Sequence, residues 1–89
     1  MVRLTVISQT KVVAVLKVEG WISQVDAALL EQEGTRLLEE SECLVLDLRG
    51  VRCMDEAGIA VLQRWVGDRL VLCGASPSIH VQLSRHGLM

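Results

Sequence analysis

The sequence predicts an α/β fold with the element order β-β-α-β-α-β-α and a mixed four-stranded sheet, in which strands two, three and four are parallel and the first is antiparallel. Three features carry this expectation. Apolar and polar residues alternate near the start, as in a strand with one buried face. Two short, nearly continuous apolar runs, 43–48 and 70–73, read as buried strands. Helix-periodic segments with capping residues lie between the later strands, and a helical crossover makes neighbouring strands parallel.

The first strand is carried by Val2, Leu4 and Val6, alternating with Arg3 and Thr5. Gln9-Thr10 interrupts, and a hairpin leads into Lys11–Val18. Val12, Ala14, Leu16 and Val18 lie on one side of this second strand and Val13 and Val15 on the other, so burial on both faces is expected. Gly20 breaks it. Ser23 then caps a helix running to about Glu40, with Asp26 in the acidic position of a capping box. The inner stripe of that helix is Ala27, Leu30, Gly34, Leu37 and Leu38. A glycine there costs about 1 kcal/mol against alanine, which points to a close approach of helix to sheet. Glu31, Glu33, Glu39 and Glu40 make the outer face acidic.

Cys43–Leu48 reads as a central strand covered by helices on its faces, followed by a loop at 49–54. Asp55 caps a second helix from about Glu56 to Val66, with Ile59, Leu62 and Val66 on one stripe and Val61 and Trp65 on the next; Gly67-Asp68 ends it. Leu70–Cys73 is the fourth strand. Ser76 caps the third helix, Pro77 opens it, and Gly87 stops it after Arg85 or His86. Right-handed crossovers place the loops after strands two, three and four at one end of the sheet.

Composition narrows the function classes. The 89 residues are expected to form one domain spanning 1–89. Apolar residues make up 51%, yet Phe and Tyr are absent, so the core is aliphatic with Trp21 and Trp65 the only aromatics. Nine Lys and Arg against eleven Asp and Glu, without a basic run, argue against a nucleic-acid partner. No secretory signal and no apolar run of membrane-spanning length are present, which leads to the expectation of a soluble cytoplasmic chain without membrane insertion. Cys43, Cys53 and Cys73 show no Cys-x-x-Cys spacing and are expected to be reduced, buried small hydrophobes, with Cys53 in its loop the one to probe for reactivity. His80 and His86 are six apart on a helix, about 120° from each other, and cannot share a metal. No phosphate loop, Ser-His-Asp set or metal-spaced cluster occurs, so neither catalytic residue, metal nor cofactor is expected.

Several ordered motifs resemble one family. Leu44-Val45-Leu46-Asp47-Leu48-Arg49-Gly50-Val51 followed by Met54-Asp55-Glu56-Ala57-Gly58-Ile59 resembles the third strand and Asp-Ser-x-Gly phosphorylation loop of bacterial anti-sigma-factor antagonists, the STAS family. Gly20-Trp21-Ile22 resembles the Gly-x-hydrophobic loop after the second strand, and Gly74-Ala75-Ser76-Pro77 the start of the third helix. The resemblance implies the STAS fold and a binding module that engages an anti-sigma factor or related ATPase-like signalling protein, released by phosphorylation of the loop serine. Glu56 stands in the place of that serine and cannot be phosphorylated by a serine kinase. It carries one negative charge against about −1.5 to −2 for phosphoserine, a partial and permanent mimic. Many members continue into a further strand and helix, so an edge or face is expected to be open here to a second copy or a partner.

Trp21, Ile22, Met54, Asp55, Glu56, Ala57 and Gly58 are therefore the expected partner-binding residues. Several have a structural alternative. Trp21 is either packing or an anchor; Asp55 is a helix cap whatever else it does; Met54 is either a hydrophobic staple or a contact. Two functions compete: a regulatory interaction module, or a small accessory subunit of a larger assembly such as a membrane-transport ATPase complex or signalling scaffold.

Overall fold

A computed structural model describes residues 1–65, 67 and 69–89. Its elements are β1 (Val2–Gln9), β2 (Val13–Ile22), α1 (Gln24–Glu40), β3 (Cys43–Met54), α2 (Glu56–Trp65), β4 (Leu70–Cys73) and α3 (Pro77–Arg85). They build one sheet in the order β1-β2-β3-β4, with β1 antiparallel to β2 and the remaining pairs parallel, as the sequence predicts. The expected stripe position of Val66 and helix end at Asp68 lie outside the described residues. No described helix is long and apolar enough to cross a membrane.

The β1–β2 turn is closed by the Thr10 hydroxyl, which accepts from the backbone N–H of Val13 at 3.0 Å and of Val12 at 3.2 Å. Both crossovers, β2 to β3 and β3 to β4, advance across the sheet in the same direction. Right-handed connections then put α1 and α2 on one face. That face holds the core. Ala14, Leu16 and Val18 of β2 and Leu44, Leu46 and Leu48 of β3 are buried beneath Leu30 and Leu37 of α1, Ile59 and Leu62 of α2, and Ile79 and Leu83 of α3.

The other face carries no helix from these crossovers, which corrects the expectation that β2 and β3 are covered on both sides. Val13, Val15 and Lys17 of β2 and Val45 of β3 are only half-buried, and Val71 of β4 is exposed. Val15, Val45 and Val71 stand in register across three strands on this face. Asp47, one step along, is clasped by Arg49, whose Nε donates to Oδ1 at 3.0 Å and whose Nη2 donates to Oδ2 at 2.7 Å.

Gly20 does not end β2. It takes φ +95° at an irregularity in the pairing, and the strand continues to Ile22. The expected loop at 49–54 is likewise strand, since β3 runs on to Met54. β4 pairs only as far as Asp47, so the later part of β3 has no β4 partner. The side chain of Gln82 on α3 donates to the Met54 carbonyl at 2.6 Å and ties α3 to the end of β3. At the far end of α1, the Arg69 guanidinium donates to the carbonyls of Leu38, Ser41 and Glu42, satisfying acceptors a helix terminus leaves open.

Candidate functional site

The ends of β2 and β3 meet at one rim. Ile22 is in register with Met54, and the Asp55 N–H donates to the Ile22 carbonyl at 3.1 Å. Each strand ends with one side chain turned into the core and its neighbour turned out. Ile22 is 1% exposed and Met54 3%, whereas Trp21 is 60% exposed and its cross-strand neighbour Cys53 is also exposed. Trp21, Ile22, Ser23, Cys53 and Asp55 line a shallow cavity of about 140 Å³.

Asp55 caps α2. Its Oδ1 accepts from the N–H of Ala57 at 3.0 Å and of Gly58 at 3.2 Å, and a carboxylate there is also favoured by the helix dipole. Glu56, the first helical residue, is exposed beside it, and Gln24, Asp55, Glu56 and Ala57 line a second depression. Among the described residues neither Asp55 nor Glu56 forms an ion pair. Gly58 is buried because the start of α2 presses onto the core. A Cβ there would lie 2.7 Å from Met54 Cγ and 2.9 Å from Ile22 Cγ2.

Of the residues expected from the sequence to contact a partner, Trp21, Asp55 and Glu56 are thus exposed and gathered at the rim, with Ala57 half-buried. Ile22, Met54 and Gly58 are buried beneath them, although Ile22 still lines the cavity at the rim. The physical reason is strand alternation, which turns Ile22 and Met54 toward the helix layer. Ser23 does not complete a capping box. Its hydroxyl donates to Asp26 Oδ2 at 2.9 Å, and this bond holds the Asp26 carboxyl below the usual carboxylate range.

Cys53 lies in β3, not in a loop, and Cys53 and Cys73 are exposed, against the expectation of buried thiols. β4 is an edge strand and Cys73 faces its uncovered side, so no helix covers the thiol. The loop after β4 leaves beside Asp47, where Gly74 sits against Arg49 and Asp47, and only α3 brings the chain back toward the rim. Among the described residues no group of three or more His, Cys, Asp or Glu could hold a metal ion.

Residues 5–88 match the family model described as "Mlab, STAS domain". The chain belongs to the STAS domain family. Solved structures share the fold of this STAS domain. The anti-sigma factor antagonist SpoIIAA in its unphosphorylated form superposes with a TM-score of 0.81 at 14% identity, over 97% of this chain and 82% of that one. An anti-sigma factor antagonist from Mycobacterium paratuberculosis gives 0.75 at 25% identity, over 99% and 80%. The Bacillus cell fate determinant SpoIIAA in the phosphorylated form gives 0.73 at 14%, over 97% and 85%. No curated protein matches.

Proposed function

We propose that this STAS domain is a non-catalytic protein-interaction module of a cytoplasmic regulatory system, which binds an anti-sigma factor or related ATPase-like protein through the rim. The observation that carries the reading is the juxtaposition of an exposed tryptophan, Trp21, with the carboxylates of Asp55 and Glu56 at a helix start. A large ring half out of the surface is a typical anchor for a partner pocket, and carboxylates beside it, in no ion pair among the described residues, supply orientation. Trp21, Asp55, Glu56 and Ala57 make the contacts; Ile22, Met54 and Gly58 hold them in place from below. Two solved relatives are anti-sigma factor antagonists, and one is known in phosphorylated and unphosphorylated forms, which supports the kind of partner.

Glu56 occupies the position of the family's acceptor serine, so the domain binds without being switched by phosphorylation there. That residue also favours a second reading, in which the domain is a permanent accessory subunit of a larger assembly such as a membrane-transport ATPase complex. The test is Glu56→Ser, examined with ATP and the ATPase-like protein that co-purifies with the native chain. Phosphorylation of Ser at 56 with loss of binding supports the switch lineage. Binding that depends on Trp21 and ignores residue 56 supports the accessory subunit, and binding that ignores both overturns the rim as the site.

A further inference from the structure

Among the described residues two carboxylates are buried, Asp26 and Asp47. Arg49 accounts for Asp47. No lysine or arginine among the described residues pairs with Asp26, which sits in the first turn of α1 and is 9% exposed, so its donors must come from elsewhere. They come from the two chain segments that flank Trp21. The Ser23 hydroxyl donates to Oδ2 at 2.9 Å, and the backbone N–H groups of Ser23 and Val2 act on the carboxyl in the same direction. The Met1 amino group lies 3.7 Å from Oδ2.

This arrangement departs from a local rule. A serine before a helix ordinarily accepts from an N–H of the first turn, but the Ser23 hydroxyl makes no such cap and is turned to Asp26 instead. A helix cap is given up for a tie between α1 and the residues just after Trp21. Functional sites are where such local preferences are set aside.

The end of β2 is held at few other points. Its pairing with β3 is irregular between Gly20 and Trp21, and Gly20 takes φ +95°. On the other side β1 begins at Val2, opposite Gly20, and the Trp21 N–H donates to the Met1 carbonyl at 3.1 Å. Beyond Trp21, the Ile22 carbonyl accepts from the Asp55 N–H at 3.1 Å. Trp21 is therefore mounted between the start of β1 and the turn at Ser23, and Asp26 is joined to both.

We propose that Asp26 is a positioning residue of the rim: its carboxylate ties the start of β1 to the turn between β2 and α1, and so holds the Trp21 backbone and, through Ile22, the start of α2 in the arrangement a partner meets. The inference rests on the interaction role proposed above and adds a residue that acts through Trp21 without belonging to the contact surface. A ring held in place before binding loses less freedom on docking, so the tie raises affinity without adding a contact.

The test compares Asp26→Ala, Asp26→Asn and Ser23→Ala with the parent chain, by amide hydrogen exchange read by NMR and by capture of the ATPase-like protein that co-purifies with the native chain. Asp26→Ala is expected to speed exchange at the Trp21 and Asp55 amides at least tenfold more than at Leu46 in the central strand, and to weaken capture at least fivefold. Ser23→Ala moves both readouts in the same sense. Asp26→Asn, which keeps an acceptor for the Ser23 hydroxyl, restores most of the protection. A merely structural role would speed all three amides by one factor, and that result in Asp26→Ala, or in Ser23→Ala should the first variant not fold, overturns the proposal. Capture that Trp21→Ala abolishes while Asp26→Ala and Ser23→Ala leave it unchanged also overturns it, with the rim intact as the binding site. Capture unchanged in Trp21→Ala overturns the interaction role itself, and this role of Asp26 with it.

Discussion

The ring of Trp65 lies directly against Gly34, so closely that a Cβ on residue 34 would fall 2.7 Å from Cζ2 and 2.8 Å from Cζ3. The glycine in the inner stripe of α1 is explained by the neighbouring helix, not by the sheet. Alanine at this position gains about 1 kcal/mol of helix propensity but meets an overpacking cost of about 1–3 kcal/mol. Gly34→Ala is therefore expected to lower the urea midpoint. In a Trp65→Val background the same change should raise it, and this reversal identifies the Trp65 contact as the cause.

Gly58→Ala addresses the floor of the rim. Met54 and Ile22 occupy the space a Cβ would need, so a loss of about 1–3 kcal/mol is expected in chemical denaturation. Met54→Ala in the same chain should recover part of the added loss, because it removes one of the two obstructing side chains.

Asp55 has two roles that substitution can separate. Asp55→Ala removes the acceptor for the N–H groups of Ala57 and Gly58 and is expected to cost about 1 kcal/mol. Asp55→Asn keeps a capping oxygen while removing the charge, so its thermal midpoint should stay near that of the parent. A partner affinity lowered by Asp55→Asn is then assigned to the charge and not to a frayed helix.

Acid stability reports the clasp between Arg49 and Asp47. The guanidinium holds the Asp47 carboxyl below the usual carboxylate range in the folded state. With the folded pKa depressed, this stabilisation is complete above the unfolded value of about 3.9 and is lost as pH falls through the folded pKa. The difference in urea midpoint between the parent and Asp47→Asn should therefore be constant above about pH 5 and shrink on further acidification. A difference unchanged down to pH 2 would contradict the assignment.

The fold was legible because periodicity and caps agree along the chain: the alternation in β1, the apolar cores of β3 and β4, Asp55, and the Ser76-Pro77 start of α3 all act locally. Coverage of the sheet was not, because Val13 and Val15 look the same whether a helix lies over them or not. The answer depends on two crossovers advancing in the same direction, which is a property of the whole topology. Arg49-Gly50-Val51-Arg52 has the composition of a loop, yet pairing irregularities in β2 carry the strand through it. At the rim, Trp21, Asp55 and Glu56 could be found from the sequence. Ile22 and Met54 sit next to them in the chain but alternate inward.

The most direct test is quantitative capture of the native partner by the full chain carrying Trp21→Ala or Glu56→Lys, against Lys11→Ala in the hairpin at the opposite end of β2. Binding reduced at least tenfold by the Trp21 and Glu56 substitutions, with Lys11→Ala unchanged and all variants folded by circular dichroism, is the predicted result. Undiminished capture by the Trp21 and Glu56 variants, with loss in Lys11→Ala, would move the interface to the other end of the sheet and contradict the account.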